Sequence, residues 1–452
     1  MKTQLALIFL LWQMAISNAS GQVSSAPPVS PVPAEGAPPP SNYPPGPVEM
    51  IAPPTMVNPP PPPPSYSEPL PPPTPIIWRP PNMAGPQCGW LETDFLLWWT
   101  RSMPNPTPLA TNGSLADSSP GAFGQPGTTA VLLGKQNVNF GPSGGFRIAG
   151  GDWFGNEQRW GLEGSFFFLA EQIVRQKISS DDFGNPGIYR PVNDVAFGES
   201  SLFVALPGMA AGFISVSSAS ELLGVEFNGL YRIVQASNWN LSVVGGFRFL
   251  DLSEHINIET ITNDFAGVLT GPNNQVEVPG STLSVFDGFH TSNQFYGGQI
   301  GFQTTAAFGS GWYITGRAIL GLGDTVQNIS ITGNTVQFQP GIGVTTAPAG
   351  GLTTAGNIGH FSHDAFSVVP EAQLKIGYQL GRVVNLFVGY NFLYWSNVVR
   401  PGTAITRNID FQGIPTSSIY NPGVPPQAPP PPSFVNTGFW AQGINLGILF
   451  TF

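Results

Sequence analysis

The feature that most constrains this chain is a two-residue alternation of apolar and polar side chains that recurs after residue 88. In one such segment, Leu241, Val243 and Phe247 alternate with Ser242 and Arg248. Successive residues of a strand point to opposite faces, so the pattern predicts strands with one apolar and one polar side. Segments of this kind lie near residues 89–100, 144–154, 159–175, 213–235, 239–259, 293–307, 311–331, 366–379, 383–398 and 440–451.

The connections between these segments alternate in length. Residues 102–143, 176–212, 260–292, 332–365 and 399–439 are long, whereas 155–158, 236–238, 308–310 and 380–382 are short. A soluble β-sandwich also gives alternating strands, but short turns at one end and long loops at the other are typical of transmembrane barrels. We therefore predict an all-β, antiparallel up-and-down transmembrane barrel of about ten strands, with both ends on the periplasmic side. A further hairpin from 201–206 and 213–216 would raise the count to twelve.

Aromatic residues at the strand ends support a membrane location. Trp and Tyr concentrate at the two interfaces of a bilayer and form girdles around transmembrane barrels. We expect interfacial positions for Trp98, Trp99, Trp153, Trp160, Trp239, Trp312, Tyr394, Trp395 and Trp440.

Charged residues are scarce, at 9% of the chain, and the net charge is −10 with only 16 Lys and Arg. A main partner of nucleic acid is excluded by this balance, because phosphate neutralisation needs clustered basic residues. An Arg or Lys facing lipid at mid-depth costs about 2–4 kcal/mol. We therefore expect the charges within strands to face the lumen, either as a network that plugs it or as the lining of a pore: Arg147, Arg159, Glu163, Glu226, Arg232, Arg248, Arg317, Glu371 and Lys375.

The first 87 residues differ in composition from the rest of the chain. Residues 1–21 have a positive start, a short apolar run and a small-residue cleavage site, which predict a secretory signal peptide. Residues 22–87 are dense in proline, which predicts an extended, disordered periplasmic tether that could contact the cell wall. The barrel is assigned to residues 88–452. The single cysteine, Cys88, excludes a disulfide framework.

The last strand carries a pattern of its own. Asn445, Gly447, Phe450 and Phe452 fit the order polar, glycine, aromatic, aromatic at the end of the chain. This order resembles the signal read by the outer-membrane barrel assembly machinery. Phe450 and Phe452 share one strand face, and Gly447 permits close strand approach.

Several longer motifs carry a family resemblance over roughly residues 88–452. They are residues 245–252 (GGFRFLDL), 293–301 (NQFYGGQIG), 388–395 (VGYNFLYW) and 398–402 (VVRPG). The chain resembles the planctomycete outer-membrane β-barrel proteins that form the seventh beta-barrel porin type. The resemblance implies a barrel fold and an outer-membrane location, and it supplies no catalytic residues.

The sequence offers little for chemistry. His360, His363 and Asp364 fall together in a predicted outer loop, where a metal site or a protease centre would need more ligands or partners than are visible. We expect no enzyme, metal or cofactor. Two functions stay open: a porin or narrow channel for ions and small polar solutes, and a non-conducting structural or surface-interaction barrel. The expected partners are membrane lipid, the assembly machinery and the cell wall; the oligomeric state is open.

Overall fold

The computed structural model describes residues 89–155, 157–269, 278–414, 417, 419, 421, 423 and 432–452. The predicted signal peptide, the proline-rich tether and Cys88 lie outside the described residues. Strands dominate this part of the chain, and among its residues no helix is long and apolar enough to cross a membrane. In chain order the strands are β1 (Gly89–Thr100), β2 (Pro108–Thr111), β3 (Val131–Gly134), β4 (Pro142–Phe154), β5 (Trp160–Ser179), β6 (Ile188–Asp194), β7 (Gly198–Ala205), β8 (Ala210–Gln235), β9 (Trp239–Asp264), β10 (Ser281–Ala307), β11 (Trp312–Gln339), β12 (Gly343–Ala347), β13 (Gly359–Gln379), β14 (Val384–Val398), β15 (Asn408–Ile409) and β16 (Thr437–Thr451).

Ten of these strands form a closed ring. Its order is β1-β4-β5-β8-β9-β10-β11-β13-β14-β16, and β16 pairs back onto β1, so each strand lies beside its neighbours in the order of the chain. The closing pair runs antiparallel from Trp90 opposite Thr451 to Thr100 opposite Ala441. Closure leaves no strand edge unpaired, which a barrel in lipid requires. The predicted all-β barrel of ten strands is confirmed.

The alternative of twelve strands is wrong. Residues 201–206 fall largely in β7, which pairs with β6 in a separate sheet, and residues 213–216 lie inside β8. That separate sheet has the order β15-β6-β2-β3, with β7 on β6. We call these five strands the cap. They come from three of the long connections.

Most ring strands are longer than the alternation predicted, although β1 has the predicted bounds, and their lengths are unequal. β8 and β9 have 26 residues each, β10 has 27 and β11 has 28, whereas β1 has 12 and β14 and β16 have 15. The tall strands are neighbours in the ring, and so are the short ones. The barrel wall is therefore high on one side and low on the other.

The outward face of the tall strands changes character part-way along. On β9, Leu241, Val243 and Phe247 face outward in the lower part, whereas Ser253 and Asn257 face outward higher up. The apolar stretch 239–249 rises about 28 Å at about 3.3 Å per residue and a tilt near 40°, close to the ~25 Å apolar band of such barrels. We call this part of the ring the lower barrel, and the part beyond it, from Leu250 to Asp264 on β9, the upper barrel.

The upper barrel has a core of its own. Inward residues such as Ile256, Ile258 and Phe289 are fully buried and pack with cap residues including Ile188 and Val192. Buried ion pairs also fix the cap and the connection that follows β14. Arg190 of β6 lies 2.7 Å from Asp287 of β10, and Arg400 pairs with Glu254 of β9. The long connections thus fill the mouth of the barrel instead of hanging free above it.

Candidate functional site in the barrel interior

Charged side chains gather inside the lower barrel. β4, β5, β8, β9, β11 and β13 each turn at least one of them inward, because a two-residue period puts every second side chain on the inner face. Eight of the nine side chains predicted to face the lumen are placed there: Arg147, Glu163, Glu226, Arg232, Arg248, Arg317, Glu371 and Lys375. Glu92 and Asp94 of β1 join them and were not predicted.

Arg248 is the centre of this charged network. Its Nη2 donates to Glu226 Oε1 at 2.9 Å and to Glu371 Oε2 at 2.5 Å, and its side chain is 0% exposed. Arg317 binds both carboxylate oxygens of Glu163, at 2.6 and 2.9 Å. A bidentate pair of this kind combines two charge-assisted hydrogen bonds and fixes both side chains. Lys375 donates to Glu92 across the interior.

Buried amides complete the network. Gln299 donates to Glu226 at 3.0 Å and to Asn228 at 2.6 Å. Asn445 donates to Asn391 at 2.9 Å, and Asn391 donates to Glu371 at 2.9 Å. Only the charged members were predicted. The amides occupy the same inward register, so alternation could have indicated them, but an uncharged amide is also common in loops.

Arg159 is a correction. It was predicted to face the lumen, but it lies just before β5 in a short turn and pairs with Glu157 at 2.7 Å. Its side chain is 52% exposed. The strand begins one residue later than predicted, so the alternation does not include this position. Arg232 does lie inside, and its guanidinium carbon sits 3.8 Å from the centre of the Trp153 ring.

Three of the predicted interfacial aromatics also need correction. Trp98, Trp153 and Trp395 are at most 6% exposed and point into the barrel. Trp98 donates to Asn445 at 2.7 Å, and Trp395 donates to Thr325 at 2.9 Å. Their position near strand ends suggested an interface, but a tryptophan there faces lipid only when its register turns it outward.

The other six aromatics have outward or partly open positions. Trp99, Trp160, Trp239 and Trp312 are 38–65% exposed, and Tyr394 and Trp440 are half-buried. Trp160 stacks on Tyr231 with ring centres 4.5 Å apart. Their interfacial role stays a prediction.

Above the charged network, buried apolar side chains form one cluster inside the barrel. They come from eight of the ten ring strands, and none is more than 3% exposed. Trp98 contacts Phe167 with ring centres 5.6 Å apart, and Phe295 contacts Trp395 at 6.1 Å. We call this set the apolar layer: Leu96, Trp98, Phe167, Leu169, Leu222, Leu250, Leu252, Phe295, Val369, Leu393, Trp395, Val398, Phe439 and Ala441.

Below the apolar layer lies a cavity of about 100 Å³, which we call the chamber. Its wall includes Arg147, Glu163, Arg317 and Lys375 from the charged network. Trp90 and Thr451 at the short-turn end also line it. At 10–15 Å³ for each water centre, the chamber holds several waters or one small solute. Its lining combines these charged groups with apolar side chains such as Leu230 and Phe387.

The four residues of the predicted assembly signal have packing roles in the folded barrel. Asn445 is fully buried in the polar network. Gly447 leaves room for Phe387, because a side chain there would come within 2.2 Å of that ring. Phe450 pairs with Leu91 and Val384, and Phe452 is 65% exposed. Recognition by the assembly machinery stays a prediction.

His360, His363 and Asp364 are in β13 and not in an outer loop, because β13 begins at Gly359. All three are exposed, and the ring of His363 lies 5.3 Å from that of Phe434. No group of three or more potential metal ligands occurs among the described residues.

Outside the membrane, burial and nearby His255 lower the pKa of His290, while Asp251 raises it.

Three solved structures that are similar to this chain are remote from it in sequence. The outer membrane protease OmpT from Escherichia coli is 6% identical, with a TM-score of 0.37 over 81% of this chain and 98% of that one. The toluene transporter TodX of P. putida is 8% identical, with a TM-score of 0.20 over 82% and 92%. An anion-selective porin from Comamonas acidovorans is 10% identical, with a TM-score of 0.18 over 80% and 98%.

No curated protein matches the chain. A family model does match, and it covers residues 90–452, which is the entire ring of strands and the cap. The location implied by this family is the outer membrane. The protein is therefore an outer-membrane β-barrel that belongs to the family described as Putative beta barrel porin-7 (BBP7).

Proposed function

We propose that this member of the porin family is closed at rest and serves as an outer-membrane barrel that holds a folded cap at the cell surface. The observation that carries the proposal is the apolar layer. Its side chains are at most 3% exposed and come from eight of the ten ring strands, so apolar groups occupy much of the interior that an ion would have to cross. Ions crossing such a layer would lose their hydration without gaining a polar partner.

The charged network supports the same reading. Glu226, Glu371 and Glu163 each bind an arginine directly, so these three carboxylates are neutralised inside the barrel. Removing one partner from a buried pair leaves an uncompensated charge. A network of this kind stabilises the lower barrel, because its side chains satisfy one another's polar groups at a depth where lipid cannot.

Conductance in a planar bilayer tests the proposal. The wild-type chain, shown to be folded by its heat-dependent gel shift, is expected to insert without conducting. The double variant Phe167→Ala, Phe295→Ala removes two rings from the apolar layer and should conduct or leak. The matched control is Phe168→Ala, Tyr296→Ala, which changes the neighbouring outward residues and should stay silent. Reproducible open steps in the wild type would contradict a closed resting state.

A second candidate, a narrow channel that opens under a stimulus, is favoured by the chamber. A cavity lined by Arg147 and Glu163 lies on the short-turn side of the apolar layer. In that case the wild type should open at high voltage, and Arg317→Gln should change the ion selectivity of those openings. Openings with unchanged selectivity would place the path outside the chamber.

Five further assignments belong to this proposal. The chain has no enzymatic activity, which is supported by its membership of a porin family. Residues 1–21 are a signal peptide, and 22–87 tether the barrel to the cell wall, as their composition supports. Residues 445–452 are read by the assembly machinery. A planctomycete-type envelope is supported by the motifs at 245–252 and 388–395.

A further inference from the structure

Arg147 differs from the arginines beside it in the charged network. Arg248 and Arg317 each donate to carboxylates at 2.5–2.9 Å. Within 4.0 Å of Arg147, the described part of the chain offers one carboxylate oxygen, Glu371 Oε1 at 3.7 Å; Asp94 lies opposite Arg147 in the β1–β4 pair but forms no hydrogen bond with it. The Glu371 oxygen already accepts from Asn391 at 2.9 Å. Arg147 thus has no hydrogen-bond acceptor among the described residues, although its side chain is only 8% exposed.

Two aromatic rings hold the Arg147 guanidinium at the upper side of the chamber. Its central carbon is 5.6 Å from the ring centre of Trp98 and 5.4 Å from that of Phe167. Contact with the rings stabilises the charge but does not satisfy the five N–H donors of the group. A buried cation without hydrogen bonds is costly, so an acceptor supplied from the chamber would be strongly favoured.

The chamber wall offers a second unpartnered donor. Tyr313 lines the chamber, is 3% exposed, and its hydroxyl has no hydrogen-bond partner among the described residues. The carboxylates of the same wall are already bound: Glu163 to Arg317, and Glu226 to Arg248 and Gln299. Among the described side chains that line the chamber, the fully buried polar atom without a hydrogen-bond partner is thus a donor, which matches a ligand rich in acceptors.

We propose that the chamber is a binding site for a small monocarboxylate anion, held by Arg147 with Tyr313 as a further donor. A planar carboxylate can accept two parallel hydrogen bonds from a guanidinium edge. The volume of about 100 Å³ suits an anion the size of formate or acetate. Glu163, Glu226 and Glu371 lie close enough to disfavour a dianion by repulsion. The inference deepens the proposed function, because a closed barrel makes the chamber a blind pocket and not a passage.

The test is an equilibrium titration of the folded, detergent-solubilised full chain with ¹³C-labelled acetate, followed by NMR line broadening in chloride-free buffer. We expect saturable binding to the wild type and weaker binding of inorganic phosphate. Arg147→Gln should weaken acetate binding about 10–100-fold, and Tyr313→Phe about 2–10-fold, as expected for lost charged and neutral hydrogen bonds. Arg159→Gln is the matched control: it removes an exposed arginine outside the chamber and should bind like the wild type.

Folding of each variant is checked by the heat-dependent gel shift. If Arg147→Gln does not fold, Tyr313→Phe and Arg147→Lys are used instead. Arg147→Lys keeps the positive charge but loses the two parallel donors of the guanidinium edge. Both variants should bind acetate more weakly than the wild type. The inference is overturned if the folded wild type shows no saturable acetate binding, or if the chamber variants bind as well as Arg159→Gln. Binding is read in detergent and conductance in a bilayer, so the two proposals fail separately.

Discussion

The lower and upper barrel are built by the same strands with opposite polarity. On β9, Ser242 and Arg248 face inward below, and Phe247 faces lipid; above, Ile256 faces inward and Asn257 faces water. The lower half is held by buried ion pairs and amides, and the upper half by an apolar core like that of a soluble domain. A two-residue period therefore identifies a strand, but the surroundings decide which of its sides is apolar.

The largest difference should appear when the centre of the lower network is removed. Arg248→Met removes the hydrogen-bonded arginine from buried Glu226 and Glu371, and we expect a loss of about 3–5 kcal/mol in the free energy of unfolding. Urea titration in detergent micelles measures the change. Exposed Arg159→Gln should shift the same curve by less than about 0.5 kcal/mol. If Arg248→Met were no weaker than that control, ion pairing would not support the lower half.

In the upper half, apolar packing should take over that role. Phe289 is fully buried in the upper core, and Phe289→Ala is expected to cost about 3 kcal/mol or more through lost transfer energy and a cavity. Phe247→Ala changes an outward residue that is 49% exposed to the surroundings of the lower barrel. It should cost clearly less in the same unfolding measurement. Equal losses would show that the outward phenylalanine is packed as tightly as the core one.

A charge placed on the outer face should locate the boundary between the halves. Val243→Arg puts a cation in the lipid-facing band of β9 and should cost about 2–4 kcal/mol in vesicles. Asn257→Arg puts the same charge on the outer face of the upper barrel and should cost less than about 0.5 kcal/mol. Refolding into vesicles of defined thickness measures both. A similar cost at both positions would mean that lipid reaches the upper strand.

The smallest expected effect concerns pH and belongs only to the upper barrel. The pKa of His290 is lowered by burial and by His255, and raised by Asp251, with a net lowering from 6.5. The unfolded chain then binds more protons than the folded one, so stability should rise with pH up to about 6.5 and level off above it. His290→Gln should flatten this part of the urea-midpoint profile between pH 5 and 7. A profile that stays as steep would assign the dependence to other groups.

Alternation was enough to predict the ring but not its height. The ten strands follow from segments such as 239–259, whose polar and apolar sides are unmistakable. Residues 281–292 were assigned to a loop because Ser, Thr, Gly and Asp abound there, yet they form the upper part of β10. Their outward side is polar because it meets water, and their inward side, with Leu283 and Phe289, is apolar.

The charged residues of the interior could be predicted from the sequence, but the apolar layer could not. The register places Arg248 and Glu371 on one face of their strands. A charge that faces lipid is destabilising, so this face was predicted to be the inner one. The apolar layer was missed because its members, such as Leu96 and Trp98, read as further lipid-facing residues. Trp98 and Trp99 are adjacent and must face opposite sides, so one of the two had to point inward. The cap depends on pairings between distant segments, such as β15 with β6, which local patterns do not reveal.

Because the ring strands differ in length, the upper part of the molecule has a tall side and a short side. On the side of β8 to β11, strands of 26–28 residues stand between the cap and anything that approaches along the membrane. On the side of β1, β14 and β16, strands of 12–15 residues end early. A phage, an antibody or a neighbouring envelope protein would therefore meet a smooth strand surface from one direction and the loops of the cap from the other.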